Sequence, residues 1–233
     1  ALIEKIGRRE GLGRILGEGV QRAALAIGQG AEAFAMHSKG LEFPGYEPRS
    51  AKAHGLSYAT SNIGGSHMYG YARQEISGFK EPREVDRFAD TGKGDIVAYN
   101  QINKAREETL ILCNFADSGI TPDWLAELLK AATGIEAFGD PGYLDRVGER
   151  IVTLERCFNV REGFAREQDA LPRRMLEEPL KNAGPATGEI YRSFDRLLDE
   201  YYAAMGYDHQ GRPTESKLQE LGLDAAWEMK KTT

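Results

Sequence analysis

A chain of 233 residues that is 41% hydrophobic and 28% charged can bury a sizeable core as one large domain or two small ones. Its net charge of −6 has the wrong sign for a nucleic-acid footprint, and no apolar run approaches the roughly 20 residues of a membrane span. Two cysteines, Cys113 and Cys157, exclude a disulfide framework and point to a reduced, cytoplasmic setting.

The first residues read as helix, not as a basic stretch leading into an apolar one, so no signal peptide is expected. A chain that starts at Ala1 with a helical pattern already under way reads as a piece of a longer protein. Leu12, Ile15, Leu16, Val20, Ala23, Ala24 and Ile27 recur at helical spacing within residues 9–30, and Gly28 and Gly30 can end that helix. Residues 38–56 carry Gly40, Pro44, Gly45, Pro48 and Gly55, which predicts an irregular connection and the best candidate boundary. Thr121-Pro122-Asp123 is a cap, a first-turn proline and a first-turn acid; Leu125, Leu128, Leu129 and Ala132 follow, and Gly134 closes the helix. Leu144, Val147, Ile151, Leu154 and Phe158 predict a buried stripe. A second Pro/Gly-rich stretch covers residues 172–188. Ile190, Phe194, Leu197, Tyr201 and Met205 form another stripe before Gly206, and Thr214 can cap a short last helix carrying Leu218 and Leu221. Strand signals are scarce, and Leu110-Ile111-Leu112-Cys113 is too short to choose between strand and buried helix. The expected fold class is mainly α, irregular and multi-helical.

Few residues stand out chemically. A lone cysteine is commonly a small buried hydrophobe, and Cys157, beside Leu154 and Phe158, fits that role. Cys113 has a second reading as a thiolate ligand. An iron–sulfur cluster takes four thiolates, so the others would come from outside this chain. His67 follows Gly64-Gly65-Ser66; the glycine pair permits close backbone approach, and an imidazole there could move a proton near neutral pH. His37, His54 and His209 lack such a context. Glu107 and Glu108 precede the Cys113 run, where a carboxylate could accept two hydrogen bonds from an amidine-like edge or be a solvated charge. The absence of a His-x-x-x-His or Cys-x-x-Cys pair argues against a self-contained zinc site. There is no nucleophile elbow and no phosphate-binding loop.

Several blocks, taken together, resemble one family. They are Lys39-Gly40-Leu41-Glu42, Tyr46-Glu47-Pro48-Arg49, Gly55 through His67, Gly148-Glu149-Arg150-Ile151, Phe158 through Gly163, Asp169 through Arg173, and Tyr201-Tyr202 through Asp208. In this order, between about Gly11 and Leu223, they resemble the C-terminal region of the tungsten-containing aldehyde ferredoxin oxidoreductases. The resemblance implies the end of that family's second helical domain over residues 1–45 and its third over 46–233. It implies a tungsten (or molybdenum) ion on two pterins, Mg between the pterin phosphates, and a 4Fe–4S cluster. Partners implied are ferredoxin as electron acceptor, a small aldehyde, the upstream domains and a homodimer. The family's second pterin motif, Asp-x-x-Gly-Leu-Cys, falls on Glu108 through Cys113. Cys113 is thereby the fourth cluster ligand, and Glu108 and Leu112 are pterin contacts, with Tyr69 a further cofactor contact. His67 is implied as the catalytic histidine. Glu108 stands for the motif's aspartate, Ile111 for its glycine, and Ile63 for an arginine common after Ser-Asn. The remaining cluster cysteines would lie upstream, and the chain alone is expected to be inactive. Alternative readings are a helical module without cofactors and a related tungsten enzyme acting on an aromatic acyl-CoA.

Overall fold

The helix α6 (Gly94–Glu108) owes its place in the middle of the molecule to two glycines. It crosses α8 (Pro141–Arg161) so closely that a Cβ on Gly148 would lie 2.3 Å from the carbonyl oxygen of Ile102. It also crosses α10 (Phe194–Met205), where a Cβ on Gly94 would lie 2.2 Å from the Glu200 carbonyl carbon. Neither approach leaves room for any other residue. The structure, a computed structural model, describes residues 1–115 and 119–225.

Around α6, α8 and α10 stands α4 (Lys52–Thr60), buried at every residue. These four helices supply most of the core, including Leu56, Tyr58, Ile96, Val97, Val152, Leu197, Tyr201 and Met205. Full burial of side chains of this size contributes roughly 1.5–3 kcal/mol each. Short helix α5 (Arg73–Ile76) buries Gln74 and Glu75, α9 (Arg173–Glu177) adds Met175 to the core, α11 (Glu215–Leu221) packs on Cys157 of α8, and α7 (Pro122–Thr133) packs outside α8. Three short helices, α1 (Leu2–Arg8), α2 (Leu12–Leu16) and α3 (Val20–Ile27), lead into a hairpin of β1 (His37–Ser38) and β2 (Leu41–Glu42). The fold is mainly α, as the sequence predicts. No described helix is long and apolar enough to cross a membrane.

Helix ends match their signals where local chemistry sets them. Thr121 Oγ1 accepts the Trp124 N–H, and Gly134 takes φ 72° to end α7. Gly206 at φ 69° ends α10, and Thr214 Oγ1 accepts the Lys217 N–H to start α11. Two expectations are corrected. The helix over residues 9–30 is broken at Gly17–Gly19, because Glu42 of the hairpin caps α3 by accepting the Val20 N–H at 2.7 Å. The α8 stripe is rotated: Leu154 and Phe158 face outward, while Val152, Arg156 and Cys157 are buried. Arg156 turns inward because its guanidinium meets Asp169 with two hydrogen bonds, 3.0 and 2.7 Å. The hairpin itself turns on Lys39 (φ 51°) and Gly40 (φ 85°), a pair of left-handed residues suited to a two-residue turn. Lys39 is held there by Asp169, 2.7 Å from its Nζ.

Candidate functional site

The segment from Ser61 to Ala72 leaves the end of α4 and is fastened on two sides. On one side Gly65 donates its N–H to the Ser38 carbonyl of the hairpin at 3.2 Å. On the other, Asn159 of α8 donates to the Asn62 carbonyl at 2.7 Å, and Asn62 Nδ2 donates to the Val152 carbonyl at 3.1 Å. The Gly64-Gly65 pair thus serves close approach to the hairpin. The fastening presents His67, half-buried, to the rings of Tyr46 (centroids 5.5 Å) and Tyr71 (6.5 Å). The two phenol oxygens lie 3.2 Å apart, within hydrogen-bonding distance. Behind them lies His54, fully buried on α4. Burial lowers the pKa of His67 below the ordinary imidazole value of 6.5, so the ring is neutral at pH 7 and can accept a proton.

The second segment follows α6. Glu107 and Glu108 carbonyls close a tight turn by accepting the N–H groups of Leu110 (3.0 Å), Ile111 (3.1 Å) and Leu112 (3.3 Å). The run from Leu110 to Cys113 is therefore neither strand nor helix. Ile111 occupies the left-handed region at φ 59° with 94% of its surface exposed. Cys113 is exposed and Leu112 half-buried. Arg73 of α5 holds the residue after the cysteine, donating to the carbonyl (3.1 Å) and Oδ1 (2.9 Å) of Asn114. Glu108 is exposed and pairs with Lys104 at 3.1 Å, whereas Glu107 is buried beside Arg73 at 3.7 Å. A cavity of about 230 Å³ lies beside this loop, with Tyr71, Arg73, Asn100, Lys104 and Asn114 in its wall.

These two segments meet. Phe115 packs edge-on against Tyr71 with centroids 6.2 Å apart, so one ring contact joins the Cys113 turn to the wall around His67. Tyr69 is directed elsewhere. Its hydroxyl donates to Glu155 of α8 and accepts from Asn62 at 2.7 Å, and burial followed by the Glu155 charge raises its pKa well above the usual phenol value. Cys157 is 5% exposed in a small cluster with Leu218, Leu221 and Leu223, and burial pushes its thiol up to about 11. The sequence assigns no role to Tyr46, Tyr71 or His54; the density of aromatic side chains between Phe43 and Tyr71 is the signal that points to them.

The residues fit the implied groups unevenly. An exposed thiol on a tight turn can serve as one ligand of a cluster, and no group of three His, Cys, Asp or Glu among the described residues could hold a metal unaided. Glu108 presents a solvent-facing carboxylate that could accept from a pterin edge. Tyr69 offers no free hydroxyl, and Ile63, 57% exposed, offers no charge.

Comparison with known proteins settles the family. The profile for aldehyde ferredoxin oxidoreductase, domains 2 and 3, matches residues 1–223. The chain belongs to the aldehyde ferredoxin oxidoreductase family. A tungsten-containing aldehyde ferredoxin oxidoreductase of Pyrococcus abyssi is 38% identical over 224 residues, which is 95% of this chain and 36% of that protein. The corresponding Thermococcus kodakarensis protein is 37% identical over 223 residues, again 95% and 36%. A Pyrococcus furiosus aliphatic sulfonate oxidoreductase, WOR-like subunit, is 29% identical over 240 residues, covering 97% of this chain and 34% of its own length. This family member thus spans about a third of the length of the curated relatives it matches. Among solved structures, the active site complex BamBC of benzoyl coenzyme A reductase, with 1,5-dienoyl-CoA, shares the fold. Its TM-score is 0.71 at 23% identity, covering 98% of this chain and 39% of that one.

Proposed function

We propose that this chain is the proton-handling and cluster-ligating part of an oxidoreductase that converts aldehydes to carboxylic acids at a tungstopterin centre. Residues 1–45 form the end of its second domain and 46–233 its third, the first pterin motif and the other cluster cysteines would lie upstream, and Mg belongs to the same implied cofactor set. The observation that carries the proposal is the Tyr71–Phe115 contact, which brings His67 and the exposed Cys113 turn to one wall.

Addition of water to an aldehyde and loss of two electrons and two protons gives the carboxylic acid. A bound tungsten centre would supply the two-electron chemistry, with the cluster that Cys113 would help to hold as the route toward ferredoxin. His67, neutral at pH 7, accepts the proton released as water adds to the carbonyl carbon. Tyr46 and Tyr71 flank it with hydroxyls that can orient a carbonyl oxygen. Cys113 would give its thiolate as the fourth ligand of a 4Fe–4S cluster, and Glu108 and Leu112 would hold the pterin. Tyr69 supports the site through Glu155 and Asn62. The chain alone is inactive on this reading, because most of the cofactor cage lies outside it.

The test uses the full-length protein. His67→Ala is expected to lower turnover by roughly 10²–10⁴-fold with tungsten and iron content unchanged, and Cys113→Ser to reduce iron content and alter the cluster spectrum. Normal turnover in the first variant removes the catalytic role, and unaltered iron in the second removes the ligand role. A second reading, action on an aromatic acyl-CoA, is favoured by exposed Ile63 at a position where a charge is expected. Turnover of aromatic thioesters but not aldehydes by the full-length protein decides for it.

A further inference from the structure

His54 sits inside α4 with no exposed surface, and its Nδ1 accepts the backbone N–H of Ala72 at 3.4 Å. A ring nitrogen that accepts a hydrogen bond carries no proton, so the neutral ring holds its hydrogen on Nε2. That nitrogen is buried and has no hydrogen-bond partner. Leaving a buried donor unpaired costs about 1–3 kcal/mol, and nothing in apolar packing requires a histidine here. What the ring does touch is specific. It meets Tyr46 and Tyr71 edge-on, with centroids 5.2 and 5.3 Å away, and leans on Tyr58 at 4.8 Å. Edge-to-face packing of this kind is directional, so it fixes ring orientation as well as position. The same two phenols contact His67 and join their hydroxyls at 3.2 Å.

We propose that His54 is a positioning residue, a buried ring that fixes the Tyr46–Tyr71 hydroxyl pair against His67. The Ala72 hydrogen bond sets the segment carrying Tyr71, and the edge contacts set the two phenols. The inference rests on the reading of His67 as the group that moves the proton. Burial, with the charge on His67 adding to it, keeps the His54 ring unprotonated down to about 3. It therefore places no positive charge behind His67 at working pH. The titratable groups in ring contact with His67 are Tyr46, from the stretch after the hairpin, and Tyr71; His54 follows behind them from α4.

Histidine-selective NMR on the 233-residue chain tests the proposal. In the unsubstituted chain His54 is expected to remain the Nε2–H tautomer from pH 8 to about pH 4, while His67 titrates below 6.5. His54→Asn keeps an acceptor for Ala72 but removes the ring; contacts from His67 to Tyr46 and Tyr71 should weaken and its pKa should move back toward 6.5. His54→Phe keeps a ring and loses the acceptor, and should retain the His67–Tyr46 contact. A merely structural histidine would lower the melting temperature in both variants and leave the His67 titration where it was. Unchanged His67 contacts and pKa in folded His54→Asn overturn the proposal. If that variant does not fold, a charged or Nδ1–H His54 between pH 5 and 8 in the unsubstituted chain overturns it equally. In the full-length enzyme His54→Asn should lower kcat by roughly ten- to a hundredfold with KM little changed. Normal turnover in His67→Ala would remove the underlying reading of function while leaving the NMR result to stand on its own.

Discussion

Ile111 is a β-branched residue at φ 59°, a conformation that costs it of the order of 1–3 kcal/mol. With 94% of its surface exposed, the side chain recovers almost nothing by burial. Ile111→Gly is accordingly expected to stabilise the chain by about 1 kcal/mol in denaturant unfolding. A loss of stability would mean that the isoleucine makes a contribution the turn conceals. The two thiols differ as sharply. Cys113 is exposed, whereas Cys157 is buried with its thiol pushed up to about 11. An aromatic disulfide reagent should therefore titrate one thiol per native chain and two after denaturation, with Cys113→Ser abolishing the native reaction. Fast reaction of both would contradict the packing of Cys157 against α11.

Between elements, the buried group that ties most segments together is Asp169. Its carboxylate accepts two bonds from Arg156 of α8, one from Tyr202 of α10 at 2.7 Å, and meets Lys39 of the hairpin turn. Burial alone would raise its pKa; the Lys39 and Arg156 cations outweigh that and hold it below the ordinary 3.8. A depressed carboxylate stabilises the fold above its unfolded pKa, and that stabilisation is lost as pH falls through the lower folded value. Asp169→Asn leaves two buried cations without their charge partner. It should cost about 3–5 kcal/mol at pH 7, a gap from wild type that narrows on acidification below pH 4. Urea melts at several pH values check this, and a pH-independent gap would refute the assignment. The same cluster shows where sequence reading stops. The capped helices α7, α10 and α11 were legible because their end signals lie within a few residues. The hydrophobic pattern predicts no helix over α4 or α6, whose interiors are lined by polar groups. Asn100 meets Gln74 at 2.9 Å, and Gln101 meets both Thr60 (3.2 Å) and Tyr201 (2.6 Å). Such partners lie 26 to 100 residues away in the chain, so periodicity carries no trace of them. At the site, His67 and Cys113 stood out by their neighbours in the chain, while Tyr46, Tyr71 and His54 became functional candidates only through three-dimensional proximity.

Across the whole molecule burial is uneven. Helices α4, α6, α8 and α10 share one core, whereas α1–α3 bury only Gly13, Ala23 and Ala24. Ile3, Leu25 and Phe34 are 84%, 62% and 73% exposed. Amide exchange should therefore be slowest in α4, α6 and α10 and fastest in residues 1–34. Uniform protection along the chain would show that the first helices are stabilised by something beyond their visible contacts. The contact between Tyr71 and Phe115 bears on this distribution. Phe115 is 62% exposed, yet together with the Arg73–Asn114 hydrogen bonds it joins the turn bearing the sulfur to the wall bearing the imidazole. A substitution that removes the Phe115 ring is therefore expected to be felt at Tyr71 on the far side of the contact, and one that moves Tyr71 to be felt two residues from the thiol.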